Sequence, residues 1–453
     1  MSRFRQSGRK LHLNAFLHTV GHHEAAWRLP ESNPVAAYDV QHYIELAQLA
    51  ERGRFDSVFF ADGPSLQGDV RYRPAGWLDP TVLLPVLALV TKHIGLVATA
   101  STTYTEPYNL ARNFASIDQV SGGRAGWNIV TTAGLDAAQN FGLDAVPSHA
   151  QRYERASEFL DVCLKLWDSW EEDYLVADKS SGQFADGRKV HTIDHRGKHF
   201  RVRGPLNVPP SRQGRPLLVQ AGSSEDGKVF AARYAEAVFT AQQTLAEGQA
   251  FYKALRSQAA GYGRNPDDLK ILPGLVAVIG STEAEAKQRE QELADLQVHA
   301  YGLHQLSHLL GTEIGEDRLD ETLPELGDVS SVEGHQSRFT VITDLARRDN
   351  LTVRQLLVRL GGGRGHRTFA GTPEQVADTI EEWFTSGAAD GFNVMAPVLK
   401  RDLELFVDHV VPILQKRDLF RSEYTGSTLR EHYGLSRPQN QFTKSRTEHN
   451  AAE

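Results

Sequence analysis

At 453 residues, with 40% hydrophobic and 23% charged side chains, the chain carries enough apolar surface for a large buried core, which excludes a wholly disordered polymer. Its 49 Lys and Arg against 57 Asp and Glu leave a formal charge of −8, so there is no basic footprint for nucleic acid and no polybasic patch for a membrane surface. A single cysteine, Cys163, cannot make an internal disulfide and lies in the helical pattern FLDVCLKLW, which favours a reducing, cytoplasmic setting.

The basic opening MSRFRQSGRK is followed by LHLNAFLHTV, which His12, Asn14 and His18 interrupt, so no secretory leader is expected. Residues 11–17 read as a strand, and 39–52 follow with helical spacing. SVFF at 57–60 is a second strand, and 80–92 form a helix capped by Asp79 with Pro80 at its first position. The apolar run 82–90 contains Pro85 and is far short of the ~20 residues of a bilayer span. A strand at 94–98 and a helix at 107–120 lead into SGGRAGWNIVTT at 121–132, a glycine turn that delivers a fourth strand ending in small hydroxyl residues.

After a long helix at 150–173, residues 174–215 are too irregular for a strand–helix unit and hold a hairpin near 192–202. Alternation resumes with strands at 216–221, 237–240 and 271–279 and helices at 224–234, 245–261 and 282–295. Residues 296–370 have weak periodicity and read as a second, larger insertion. A helix at 372–387, opened by Thr372 and Pro373, a strand at 392–396 and a helix at 399–416 complete the pattern, and 418–453 become polar, with an end expected to be disordered. Eight strands alternating with helices predict an α/β fold, a (β/α)8 barrel: one domain over 1–417 with insertions near 174–215 and 296–370, then a tail at 418–453.

In such a barrel the loops after the strands build the site. Asp62 in FFADG is either a turn aspartate or an acceptor for a ligand N–H. Thr99, Ser101, Thr102 and Thr103 form a hydroxyl edge, and Asn128, Thr131 and Thr132 follow the next strand. Gly222, Ser223 and Ser224 sit at a helix start, where free N–H groups and the dipole suit an anion or simply a cap. His149 and Tyr153 lie four apart on one helical face beside them. Gly361–Gly365 lack the GK[ST] ending of a phosphate loop and read as a lid hinge. His18, His22, His23 and Glu24 follow a strand in a loop, without the helical spacing of zinc enzymes, so no metal is expected. Phe16, Phe60 and Trp77 are candidate walls of an apolar pocket.

The strings HHEAAWRLPESNP at 22–34, FDSVFFADG at 55–63, DPTVLLPVLALVTKHIGLVATASTTYTEPYNLAR at 79–112, SGGRAGWNIVTT at 121–132, HAQRYERASEF at 149–159, GPLNVPPSRQGRPLLVQAGSSEDGK at 204–228, GTPEQVAD at 371–378 and GFNVMAPVL at 391–399 span nearly the whole chain. With them the sequence resembles the bacterial-luciferase-like FMN-dependent monooxygenases, in the branch of nitrilotriacetate monooxygenase component A. The resemblance implies FMN contacts at Asp62, Thr99, Asn128, Thr132, His149, Tyr153, Ser223 and Ser224, the last four around the phosphate.

It also implies reduced FMN supplied by a separate NAD(P)H:flavin reductase and a C4a-hydroperoxide formed with O2 that oxygenates a small organic substrate, in a homodimer or homotetramer. His18 and His366 are the candidate acid–base residues. The alternatives are a deazaflavin-dependent dehydrogenase on the same barrel and a flavin-binding relative without turnover. The substrate, whether aminopolycarboxylate, sulfone, thioether or other, is not legible.

Overall fold

In a computed structural model, described here for residues 8–66, 68–222, 224–327 and 336–443, eight strands run parallel around a closed ring. They are β1 (His12–Phe16), β2 (Ser57–Phe60), β3 (Gly95–Ser101), β4 (Ala125–Val130), β5 (Leu217–Ala221), β6 (Ala237–Thr240), β7 (Lys270–Ile279) and β8 (Gly391–Val394). Each begins within one residue of its predicted start. Neighbours in sequence are neighbours in the ring, and β8 closes it by pairing with β1, His12 opposite Gly391, and with β7, Gly274 opposite Asn393. The outer layer includes α1 (Val40–Arg52), α2 (Pro80–Val90), α3 (Pro107–Val120), α4 (His149–Trp167), α5 (Glu225–Tyr234), α6 (Leu245–Gly261) and α7 (Glu283–Asp295).

Because side chains alternate along a strand, each strand feeds two cores. Phe16, Phe59, Val97, Val219, Phe239, Leu272 and Met395 fill the barrel interior. Leu13, Val58, Phe60, Leu96 and Trp127 point the other way, into the layer between strands and helices. Trp127 is fully buried there among Phe114, Phe159 and Trp167, with ring centroids 5.8, 6.0 and 6.3 Å away, and its indole N–H donates to the Ala100 carbonyl. Aromatic burial of this kind supplies much of the free energy that holds helices onto the barrel.

The SGGR turn is structural. Gly122 and Gly123 take φ of 69° and 93°, which lets α3 stop and the chain reverse into β4. Arg124 is buried and its guanidinium donates to the carbonyls of Ala88, Thr91 and Ile94, satisfying the end of α2.

Two regions depart from the sequence reading. Residues 296–370 are mainly helical: His299–Leu310, Gln336–Arg348 and Val353–Gly363 share an apolar cluster of Leu303, Leu306, Ile342, Leu345, Val353 and Leu356. The strand Arg367–Gly371 then pairs with the upper half of β7 outside the ring. Gly361–Gly363 form the buried last turn of a helix rather than a loose hinge, and the chain turns only at Arg364 and Gly365, with φ of 47° and 88°.

Residues 418–443, the described part of the segment beyond the predicted barrel domain, form a floor under the barrel. Leu429, Tyr433 and Leu435 enter the interior cluster, Tyr433 donates to Asn14 Oδ1 at 2.7 Å, and Arg430 pairs with Glu236. Within 174–215 the chain makes two small hairpins, Leu175–Asp178 with Gln183–Ala185 and His195–Arg196 with Arg201–Val202. Among the described residues no helix is long and apolar enough to cross a membrane.

Candidate active site

The C-terminal ends of β3 and β4 set the first part of the site. Thr99 lies opposite Asn128 in the parallel register. The Thr99 hydroxyl donates to the Phe60 carbonyl at 2.7 Å and accepts from Asn128 Nδ2 at 2.8 Å. The amide is thereby fixed with Oδ1 buried and without a partner. A buried acceptor left unsatisfied costs about 1–3 kcal/mol, which leaves this atom with unused capacity for an N–H. Just beyond, Thr132 donates to Ser101 Oγ at 2.8 Å.

The second part is a cradle after β5. Ser224 caps α5, its hydroxyl accepting from the Gly227 N–H. Tyr153, on the first turns of α4, hydrogen-bonds the side chains of Ser224 and Thr131 and has its hydroxyl raised above its usual pKa, chiefly by burial. His149 lies against the Tyr153 ring, centroids 4.9 Å apart, and is tied through Nδ1 to Asp226 at 2.8 Å. Gln220 is buried with Oε1 unpartnered. A Cβ on Gly222 would come 2.7 Å from Gln220 Nε2, so a side chain there would push the Gln220 amide aside. Hydroxyls, an amide and a helix start converging on bare backbone suit a phosphate. Ser223 lies outside the described residues.

The third part is an aromatic and histidine rim. Phe16 packs edge-on against Phe59 and Phe239, at 4.9 and 5.5 Å. His366 stacks flat on Phe239 at 4.7 Å, and His22 meets Phe16 at 4.5 Å and His18 at 5.6 Å. A side chain at Gly274 would collide with His366, its Cβ 2.4 Å from Nδ1. Burial holds His18 and His366 well below the usual imidazole pKa and His22 at about 4, so all three are neutral at pH 7.

Two of them accept from arginines. Arg73 reaches His18 Nε2 at 2.9 Å, and Arg338 reaches His366 Nε2 at 2.8 Å. Burial pulls Arg338 down to about 10, which leaves it a cation. Neutral partners do not cancel these charges. Glu24, on which Arg73 acts through space, is pushed up to about 7 by its burial, and among the described residues no carboxylate pairs with Arg338. Asp62 accepts from the Trp77 indole at 3.0 Å, and the Trp77 ring abuts His18 at 5.4 Å.

The structure thus joins Thr99 with Asn128, His149 and Tyr153 with Ser224, and Asp62 and Trp77 with His18, and it sets His366 beside Phe16 through Phe239. Phe60 is corrected: it faces α1, its ring 5.8 Å from Tyr43, and walls no pocket. The wall is Phe59, which pairs in register with Phe16 and so shares its face. Strand alternation could have made that choice from sequence. Arg73 and Arg338 carried no signal, because they lie outside the strands and only the fold brings them to the rim.

The sequence profile of the family described as luciferase-like monooxygenase matches residues 16–390. The nitrilotriacetate monooxygenase component A of Aminobacter aminovorans is 48% identical over 97% of this chain and 99% of its own length. The N-acetyl-S-(2-succino)cysteine monooxygenase of Bacillus subtilis is 46% identical over 96% and 99%. A solved riboflavin lyase holding modified FMN and riboflavin superposes with a TM-score of 0.84 at 33% identity, covering 95% of this chain and 97% of that one.

Proposed function

The chain belongs to the luciferase-like monooxygenase family, and on that premise we propose that it takes reduced FMN from a separate NAD(P)H:flavin reductase and oxygenates a small anionic organic substrate. When bound, reduced FMN supplies two electrons, so that one atom of O2 enters the substrate and the other leaves as water. The observation that carries the reading is the cradle: Tyr153, Ser224 and Gln220 meet over Gly222 at the start of α5, as a flavin phosphate requires.

From there the hydroxyls after β4 lead inward to Asn128, whose unpartnered Oδ1 accepts from the flavin ring edge. Phe16, Phe59 and Phe239 keep water from the reacting end. Each arginine occupies the lone pair at Nε2 of its neutral imidazole, so His18 and His366 carry their proton on Nδ1 and offer it as a donor. Arg73 and Arg338 favour a substrate bearing carboxylates over a sulfone or an alkane. The two relatives named above, whose names specify a tricarboxylate and a succinylated cysteine, are consistent with that choice.

Oxygen uptake with photoreduced FMN and a panel of aminopolycarboxylates, thioether acids and sulfones tests the proposal. Substrate-dependent uptake that needs flavin is expected. Turnover that survives flavin omission, or hydride transfer to a deazaflavin without oxygen use, overturns it. Tyr153→Phe is expected to weaken FMN binding about tenfold, the equivalent of one charge-assisted hydrogen bond.

A further inference from the structure

At the opposite end of the barrel lies a cavity of about 280 Å³ that the flavin reading does not use. Its walls come from the entrances of β5, β6 and β7, from the C-terminal end of α5 and from the C-terminal segment. They hold four arginines, Arg215, Arg233, Arg264 and Arg430, against two carboxylates, Glu236 and Asp268. Three of the arginines are engaged. Arg430 clasps Glu236 with both terminal nitrogens, at 2.5 and 3.0 Å. Arg264 donates to the carbonyls of Ala231, Ala232 and Ala235 at the end of α5. Arg233 lies over the Tyr234 ring and 3.9 Å from Asp161.

Arg215 is different. Among the described residues it makes no hydrogen bond and no ion pair, and its Nε is buried and unpartnered. Glu236 and Asp168 reach it only through space, Arg430 opposes it, and burial lowers its pKa. A buried Nε–H left without an acceptor is costly, and natural structures satisfy such groups. Glu236 cannot relieve it, since that carboxylate is already shared by Arg430 and the Leu218 N–H.

We propose that this cavity is an anion site in which Arg215 binds a small tetrahedral oxyanion of the phosphate class. The volume admits such an ion with several waters, at about 30 Å³ each. Five donors in a planar fork match paired oxygens, which is why the unengaged residue is the one that selects the ligand. The bound anion ties the segment 430–438 to the floor of the barrel through Arg430 and its neighbours Leu435, Ser436 and Pro438.

The test is thermal unfolding of the full-length protein in inorganic phosphate, acetate or chloride at matched ionic strength, with wild type, Arg215→Gln and Arg215→Lys. Phosphate is expected to raise the midpoint of the wild type more than acetate does. Arg215→Gln is expected to weaken the apparent phosphate affinity about tenfold or more and Arg215→Lys by less, with FMN titrations unchanged in both. Because the flavin cradle is intact in all three proteins, any phosphate bound there contributes equally and cancels from the comparison. Equal phosphate responses in wild type and Arg215→Gln, no response in the wild type, or an acetate response as large as that to phosphate would overturn the assignment. If Arg215→Gln does not fold, an undiminished phosphate response in Arg215→Lys overturns it.

Discussion

Replacing His22 by glutamine removes an imidazole that the fold keeps neutral. His22 is 4% exposed, and its Nε2 donates to the Phe16 carbonyl at 2.9 Å, a bond that a glutamine amide can reproduce. Burial, aided by Arg73 and partly offset by that carbonyl, lowers its pKa from 6.5 to about 4. Between those values the unfolded chain binds a proton that the folded chain refuses. Unfolding free energy therefore rises with pH across the window, is fully present above 6.5, and is lost as pH falls towards 4.

At 1.36 kcal/mol per pH unit, the interval from 6.5 to about 4 corresponds to about 3 kcal/mol. Glu24 acts with the opposite sign. Its carboxyl, raised to about 7, keeps a proton that the unfolded chain has lost, so stability falls as pH rises from 4.5 to 7. The wild-type curve mixes both, and the comparison with His22→Gln isolates the histidine. Urea unfolding at pH 7 and pH 4.5 should show the variant gaining about 2–3 kcal/mol on the wild type between the two conditions. Parallel pH profiles would refute the reasoning, because they would mean that His22 titrates alike in both states.

Two further substitutions separate structure from chemistry. Phe60→Ala should cost about 3–5 kcal/mol in calorimetric stability while leaving FMN affinity unchanged, since its ring lies behind the sheet; a selective loss of FMN binding would put the ring at the mouth after all. Arg338→Gln should raise KM about tenfold for a substrate with two carboxylates and leave the KM of an uncharged sulfone nearly unchanged, as steady-state kinetics would reveal.

Much of this molecule is written locally. The eight barrel strands were legible because each is a short apolar run bounded by a turn or cap, such as SVFF before Ala61-Asp62-Gly63 or the strand launched by Gly122 and Gly123. The start of the cradle was legible too, since a helix beginning at Ser224 announces free N–H groups whatever surrounds it. The helices within 296–370 bury their apolar faces against one another rather than against the barrel, so their pattern makes sense only once Leu303, Ile342 and Leu356 are neighbours.

The sequence by itself determined the alternation of strand and helix, the barrel that follows from it, and the hydroxyl and glycine chemistry at the strand ends. Those properties reside in stretches of a few residues, where backbone preference and side-chain period act directly. Only the tertiary structure decided that Arg73 and Arg338 charge the rim through neutral histidines and that Arg215 is left unpaired at the base. Each of these depends on which groups, brought together from separate segments, share a volume without water. Desolvation and pairing are properties of that volume, not of any segment that contributes to it.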